Sequence, residues 1–303
     1  MGQQWVTSSL GGNLANPKLS KEVRIAAQAE CKFRQFATVK EAFGKGVADS
    51  VNFDKVTNVV SSGGTLVETT TMPTTYFTIT KSTLTVTEYG NAIPYTGKLE
   101  TVSQEGVRNL VVKALKNDQV KVLDAAVEAQ MDACYYRYVS STTTSGNFTT
   151  DGTATATATT NLNAYHFKVM IDKLMELNAP PADGENYMAI LTISAARGIY
   201  DSLEDIWKYT KYPVNGEIGS YYRCRVVRDN YAMDNTIGAS SITGEGYFFG
   251  DDAVMEAVAL PEEIRYEEED FGRSKKLAWY AILGFKIIWS SDPDDRIIKW
   301  TSA

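Results

Sequence analysis

Hydrophobic and polar residues alternate along residues 77–88, with threonine at most of the polar positions. The alternating apolar residues are Phe77, Ile79, Leu84 and Val86. A period of two predicts β-strands that bury one face, so we expect a β-hairpin within residues 65–93 that turns at Lys81, Ser82 and Thr83. An isolated hairpin is marginal in water, and the flanking sequence offers no third strand at hairpin spacing. We therefore expect a second subunit to cover the apolar face.

A helical pattern follows the alternation. Apolar residues recur at i, i+3, i+4 and i+7 from Val107 to Tyr138, and no proline interrupts them. Thr101 and Gln104 have the spacing of a capping box. At about 1.5 Å per residue, roughly 35 residues would extend on the order of 50 Å. We predict one helix over residues 104–139 that runs along the whole molecule.

The chain before the alternation shows weaker patterns. Residues 1–20 are rich in glycine and asparagine, which is typical of a flexible arm. Residues 20–43 have helical spacing and predict one or two short helices. Residues 51–60 predict a strand.

The second half mixes helical and strand patterns. Residues 140–163 are mostly Ser, Thr, Gly and Ala, so we expect a mobile loop or an edge strand there. Residues 246–303 return to strand patterns, and the turn at residues 292–295 predicts a hairpin loop. Between them the patterns predict helix, strand, helix and strand over residues 164–179, 187–193, 195–210 and 221–233. This mixture favours an α+β fold over a doubly wound sheet.

The composition is ordinary for a folded chain with a substantial core, at 44% hydrophobic and 22% charged residues. The net charge of −7 argues against tight, sequence-reading binding of nucleic acid. No apolar run reaches the ~18 residues of a membrane span, so we expect no membrane partner. The N-terminus lacks a basic segment followed by an apolar one, so we expect no secretory signal and synthesis in the cytoplasm.

Residue types that commonly catalyse reactions or bind metals are sparse. His166 is the single histidine and lies among apolar neighbours on a predicted helix, so we expect a structural role. Cys31, Cys134 and Cys224 are far apart and match neither a disulfide framework nor zinc spacing. The glycine-bearing turns lack phosphate-binding motifs. We therefore predict no catalytic residue, no cofactor, no metal and no enzyme activity.

A block of charge lies near the C-terminal strands, where acidic residues at 267–270 are followed at once by basic residues at 273–276. Paired carboxylates serve glycoside hydrolysis, so a carboxylate-based hydrolase is the least favoured alternative. Pairing with an equivalent block on a neighbouring subunit is the favoured interpretation. The predicted contacts between subunits are Phe77, Ile79, Lys81, Leu84, Val86 and Glu88 on the hairpin, with Glu267, Glu268, Glu269, Arg273, Lys275 and Lys276 in the charged block.

The order of these elements resembles that of tailed-bacteriophage major capsid proteins with the Hong Kong ninety-seven-type fold, and more narrowly the coat proteins of N-four-like podophages. Residues 53–100 look like the extended loop of that family, and residues 104–136 look like its spine helix. Residues 215–233 look like its axial-domain strand, and residues 248–288 look like its last peripheral-domain sheet. The threonine-rich segment 140–163 is not part of the family pattern.

The resemblance implies a domain arrangement. An N-terminal arm with short helices would occupy residues 1–50, the extended β-hairpin loop 51–103, and the spine helix of the peripheral domain 104–139. The axial domain would occupy residues 140–245, and the peripheral-domain β-sheet residues 246–303.

The resemblance also implies a structural function. Copies made in the host bacterial cytoplasm would assemble as hexamers and pentamers into the icosahedral shell of the virion, around the phage genome. Scaffold, portal and decoration proteins would be partners, and packaged DNA would contact the inner face without sequence preference.

Two further alternatives stay open. A phage decoration, tail or adhesin-type binding protein also contains threonine-rich strands, but it leaves the long helix without a purpose. An encapsulin-like compartment shell would share the fold and hold cargo enzymes instead of a genome.

Overall fold

The computed structural model describes residues 31–42, 49–56, 63–69, 71–103, 106–150, 158–203, 217–229, 231–233, 244–290 and 294–301. The predicted short helices before residue 31 and the centre of the threonine-rich segment, residues 151–157, lie outside these ranges. Two larger sheets, a two-stranded arm and four helices make up the described part of the chain.

A four-stranded sheet is built around a long hairpin, β11 (Val254–Glu269) and β12 (Ser274–Ile287), with the order β1-β11-β12-β4. The strand β4 (Thr87–Thr96) pairs antiparallel with β12, and β1 (Thr38–Ala42) pairs parallel with β11. Residues 38–42 therefore form a strand, and the prediction of helix over residues 20–43 is wrong there, because β11 offers its backbone to this segment. A short helix, α1 (Gly97–Val102), follows β4.

The long helix α2 (Val107–Met131) lies on this sheet. Its buried stripe joins one core with the inner residues of β12. The contributing side chains are Val107, Val111, Leu115, Leu123 and Val127 from α2 and Leu277, Trp279, Ala281 and Leu283 from β12. Burying apolar surface stabilises a fold by about 25 cal/mol per Å², so this shared core holds α2 on the sheet.

The prediction of helix over residues 104–139 is wrong at its C-terminal end. The helix ends at Met131, and the strand β5 (Tyr136–Thr142) begins five residues later. The buried Asp295 carboxylate accepts the backbone N–H groups of Tyr135 and Tyr136 at 2.9 and 3.2 Å. Because those donors are taken by a tertiary partner, they cannot continue the helical ladder.

A seven-stranded sheet has the order β6-β5-β13-β10-β7-β9-β8. Its further strands are β6 (Ser145–Thr149), β7 (Tyr187–Thr192), β8 (Glu217–Tyr221), β9 (Cys224–Asp229), β10 (Gly246–Phe249) and β13 (Ile297–Trp300). The helices α3 (Ala164–Glu176) and α4 (Ile193–Leu203) share a core with one face of the sheet, and the other face shares the core of α2. Both faces of β7 are buried, which explains its unbroken apolar sequence.

The two sheets divide the C-terminal residues between them. Strands β10 and β13 belong to the seven-stranded sheet, whereas β11 and β12 belong to the four-stranded sheet. The prediction that residues 246–303 form one sheet is therefore wrong. The predicted hairpin loop at residues 292–295 is also wrong, since β12 and β13 are not paired; residues 291–293 lie outside the described part. The predictions of α3, β7 and the start of α4 are confirmed.

The arm is a two-stranded sheet of β2 (Ser50–Val56) and β3 (Ile79–Thr85), paired antiparallel from Ser50–Thr85 to Val56–Ile79. The predicted turn at Lys81, Ser82 and Thr83 is wrong, because these residues lie inside β3 opposite Asp54, Phe53 and Asn52. The arm therefore folds back between residues 57 and 78. The predicted loop over residues 51–103 is also too long, since β4 belongs to the four-stranded sheet.

Candidate assembly surfaces

The end of the arm nearest the four-stranded sheet, which we call its root, consists of Val51, Phe53 and residues 84–86, and it is covered by its own chain. Leu84 is fully buried and packs with Met255, Ala257 and Ile288, and the half-buried Val86 packs on the same cluster. The prediction of Leu84 as a contact between subunits is therefore wrong. Within β3, Ile79 stands at an odd position and Leu84 at an even one, so their side chains point to opposite faces of the arm. This change of phase suggested a turn, but it marks a strand whose two faces have different surroundings.

Two lysine side chains attach the root to β12 and to the residue directly after it. Lys55 on the arm donates its Nζ to the Ile288 carbonyl at 2.8 Å, and Lys286 on β12 donates to the Thr83 carbonyl at 2.5 Å. Burial, with a smaller contribution from Lys286, lowers the pKa of Lys55. A Cβ on Gly284 would lie 2.5 Å from the Thr85 carbonyl oxygen, so only glycine lets the arm lie this close to β12. The sequence carried no signal for these contacts.

The part of the arm beyond the root, which we call its far half, comprises Val56, residues 63–69 and residues 71–79, and it is exposed to solvent. In this far half, Tyr76 is 90% exposed and Phe77 is 62% exposed. The other large apolar side chains there with more than half of their surface open are Val56, Leu66, Val67, Met72 and Ile79. Lys81 and Glu88 are exposed as well. Monomeric proteins rarely leave a contiguous apolar surface of this kind open, and such surfaces usually mark a binding site.

The charged block lies at the end of the β11–β12 hairpin, where its residues pair with each other. The cross-strand distances are 3.7 Å for Glu267–Lys276, 3.5 Å for Glu268–Lys275 and 2.7 Å for Glu269–Lys276. In the turn between the strands, Asp270 pairs with Arg273 at 3.3 Å. Lys275 also pairs with Glu100 of α1 at 2.8 Å, and a hydrogen bond to Glu100 is the main cause of its raised pKa. Register within the hairpin supplies these partners inside the subunit, and contact of the block with a neighbouring subunit stays a prediction.

The same pairing bears on the hydrolase alternative. The carboxylates of residues 267–270 sit on an exposed hairpin beside lysine and arginine. They do not form the facing pair of carboxylates across a substrate cleft that glycoside hydrolysis requires.

His166 and the three cysteines, the other residues considered for catalysis or metal binding, lie in surroundings that suit a structural role. His166 is fully buried, with Nδ1 2.9 Å from the Tyr138 hydroxyl and Nε2 3.3 Å from the Thr160 hydroxyl, and burial lowers its pKa. All three cysteines are free, and burial raises the pKa of the Cys134 thiol to about 12. In the described ranges we find no group of three or more His, Cys, Asp or Glu residues that could hold a metal ion. No helix in that part of the chain is long and apolar enough to cross a membrane.

Solved structures share this architecture along almost the full chain. The capsid of Ralstonia phage GP4 matches with a TM-score of 0.66 and 15% identity, over 94% of this chain and 94% of that chain. The capsid of cyanophage P-SCSP1u matches with a TM-score of 0.66 and 14% identity, over 98% and 94%. The capsid of cyanophage Pam1 matches with a TM-score of 0.65 and 14% identity, over 98% of each chain.

No protein-family model and no curated protein sequence matches the chain. Its relationship to known proteins is therefore visible in the arrangement of the strands and helices rather than in residue identities. The arrangement of strands and helices in this chain is therefore the fold of these phage capsid structures, the Hong Kong ninety-seven-type fold.

Proposed function

We propose that this chain is a major capsid protein, and that its copies assemble through hexamers and pentamers into the icosahedral shell of a phage virion. The observation that carries the proposal is the arm: its root is anchored on the body, while its far half leaves large apolar side chains in water. Val56 and Ile79 at the end of the two-stranded sheet, with the apolar residues of segment 63–77, need a further surface to cover them. A second copy of the chain supplies that surface when the arm lies over a neighbour.

Because every copy makes the same contact, a modest contact can stabilise a whole shell. Each copy both gives an arm and receives one, so many modest contacts close on themselves around the particle. The net charge of −7 suits a shell that encloses DNA and binds it only weakly on its inner face. Scaffold, portal and decoration proteins are the further partners of this proposal, with subunits made in the host cytoplasm before assembly. Membership of the narrower N-four-like group stays a prediction.

The test is an arm shortened without disturbing its root. Val56 and Ile79 are directly opposite each other in the antiparallel pair, so an Asn-Gly turn can replace residues 57–78 and close the hairpin. This variant keeps Leu84 in the core and leaves both lysine contacts in place. We expect a folded subunit, by circular dichroism, that forms no particles under electron microscopy.

Point substitutions provide the matched control. Tyr76→Ser with Phe77→Ser removes two exposed aromatic residues from the arm, and Tyr165→Ser removes one from the surface of α3, where it is 44% exposed. We expect only the arm variant to lose particles. Shells of normal yield from the shortened arm would refute the function assigned to it.

A further inference from the structure

The exposed side of the long helix α2 is basic. Lys113, Lys116 and Lys121 all lie exposed to solvent there, and we call these three residues the basic face. Arg108, also exposed, precedes them, with its guanidinium over the Tyr266 ring at 5.4 Å. Within the described ranges, none of the three lysines forms a salt bridge or a hydrogen bond. Three like charges are therefore held together on about 12 Å of helix without neutralisation.

The acidic residues of α2 are occupied inside the subunit. Asp118 accepts hydrogen bonds from side chains of β4 and β12, Asp124 is fully buried, and Glu128 accepts a tyrosine hydroxyl of β10. Asp118 and Asp124 stand three residues before and after Lys121, the spacing at which helical ion pairs form, yet in the described part of the chain Lys121 pairs with neither. Because these acids have donors inside the subunit, the lysines remain available to an external anion.

Cations of the β11–β12 hairpin, by contrast, have acidic partners. Arg265 pairs with Glu263 at 2.6 Å, and Lys276 pairs with Glu269 at 2.7 Å. Because the whole chain has a net charge of −7, it contains more than enough acids to pair the lysines of α2 as well. Among the residues that the structure describes, no acid pairs with the basic face, which favours a negatively charged partner from outside the subunit.

The exposed side of α2 suits a nucleic-acid backbone better than a protein. Protein interfaces have apolar and aromatic cores, but Val122 is the one exposed large apolar residue of α2, which is described over its whole length, and it is only 37% exposed. The side chains beside the lysines are small or polar, namely Ala114, Asn117 and Gln119. Lysine binds phosphate as a point charge, and a DNA duplex presents one negative charge per about 1.7 Å of its axis, or about seven along the basic face.

We propose that the basic face of α2 binds the phosphate backbone of double-stranded DNA. The inference rests on the proposed function and deepens it, because it places the α2 side of the four-stranded sheet toward the interior of the shell. Contacts to phosphates carry no sequence information, so the binding is independent of sequence. It is also weak and salt-dependent, since three lysines release few counterions and the chain as a whole is acidic.

Lysine acetylation of the purified subunit tests the contact directly. The subunit reacts with acetic anhydride at low salt, with and without a short DNA duplex, and mass spectrometry gives the extent of acetylation at each lysine. We expect at least twofold protection at Lys113, Lys116 and Lys121, and none at two exposed lysines elsewhere, Lys81 of the arm and Lys168 of α3. Equal protection at all five lysines, or protection at none, would overturn the inference.

Two double variants with the same loss of charge separate this face from a general charge effect. Lys113→Gln with Lys116→Gln removes two cations from the basic face, and Arg197→Gln with Arg223→Gln removes two from α4 and from the turn between β8 and β9. All four side chains are exposed, so circular dichroism should show an unchanged fold. Fluorescence anisotropy with the duplex, at several salt concentrations, should give a plot of log K against log [salt] that is shallower by about 1.8 for the first variant and unchanged for the second. Equal slopes in both variants would contradict the assignment.

Polyglutamate represents an acidic protein partner in the same assay. We expect it to displace the duplex at least tenfold less well than unlabelled DNA does at the same concentration of charge, and equal displacement would overturn the inference in favour of an acidic protein. A wild-type chain that forms particles but shows no protected lysine would overturn this inference alone. Protected lysines on a chain that forms no particles would overturn the proposed function and retain the contact with DNA.

Discussion

Replacing Asp124 by asparagine tests how the N-terminal part of the chain is held on the long helix. Asp124 is fully buried on α2. Its Oδ1 accepts the backbone N–H groups of Phe33 and Arg34 at 2.8 and 2.9 Å, and its Oδ2 accepts the N–H of Lys32 at 3.0 Å. The Tyr231 hydroxyl donates to Oδ2 at 2.9 Å. Three consecutive backbone donors and one hydroxyl thus converge on a group that is acceptor-only when ionised.

The cost of the change follows from that geometry. In the better amide orientation the carbonyl oxygen keeps Phe33 and Arg34, while the amide NH2 faces the N–H of Lys32, donor against donor. Tyr231 can rotate to accept, so one buried N–H is left unsatisfied, at about 1–3 kcal/mol. The surviving bonds also lose their charge assistance, which roughly doubles the strength of a hydrogen bond. We expect Asp124→Asn to lower the free energy of unfolding by about 2–4 kcal/mol, a large part of the 5–15 kcal/mol typical of a domain.

The assay is urea unfolding of the unassembled subunit, together with amide hydrogen exchange at residues 32–34. Asp118→Asn on the same helix is the matched control, because both donors to Asp118, from Asn91 and Trp279, reach the single oxygen Oδ2. A carbonyl oxygen can replace that atom, so we expect a loss below about 1 kcal/mol. If the two variants unfold at the same urea concentration with equal exchange at residues 32–34, the reasoning about convergent donors is refuted.

Three further predictions concern the arm root, a buried histidine and the end of the long helix. Leu84→Ala removes a fully buried side chain and should lower the free energy of unfolding by about 2–5 kcal/mol in urea, whereas Ile79→Ala on the exposed part of the same strand should change it by less than about 0.5 kcal/mol; equal losses would contradict the assigned faces. Burial lowers the pKa of His166, so the unfolded chain takes up a proton that the folded chain refuses, and stability should fall as the pH drops below about 6.5. His166→Gln keeps a donor and an acceptor without titrating, so the difference in stability between wild type and this variant should narrow at low pH; a constant difference would argue against a neutral buried imidazole. Asp295→Asn should cost about 1–3 kcal/mol, because in the better amide orientation the carbonyl oxygen keeps the donors of Tyr135 and Tyr136 and the NH2 meets the N–H of Ile297. We expect faster amide exchange at residue 297 and little change at residues 135 and 136; unchanged exchange at residue 297 would contradict the assigned acceptor.

Much of the secondary structure was predictable because it depends on local periodicity. The buried stripe of α2 and the unbroken apolar run of β7 both appear in the structure at the expected positions. The structural role expected of His166 left its exposure open, and the structure shows the residue fully buried on α3. For the arm, the alternation around Ile79 correctly indicated a strand, but the partner of that strand lies at residues 50–56, about thirty residues upstream.

The exposure of the candidate contact residues was likewise predictable from the sequence for some of them and not for others. The exposure of Phe77 and Ile79 followed from an apolar face with no local partner. The burial of Leu84 did not, because its neighbours Met255, Ala257 and Ile288 come from residues more than 150 positions away.

By itself the amino-acid order determined most of α2, α3, the start of α4, the strands β2 and β7 and the α+β class, since each depends on residues close together in the sequence. Which strands share a sheet, where α2 stops and which charges meet were decided by tertiary structure. Pairing of distant backbones and convergence on buried carboxylates such as Asp124 and Asp295 act between residues that are close only after folding. A local pattern cannot encode a partner that lies a hundred or more residues away, such as Glu100, which pairs with Lys275 from 175 positions upstream.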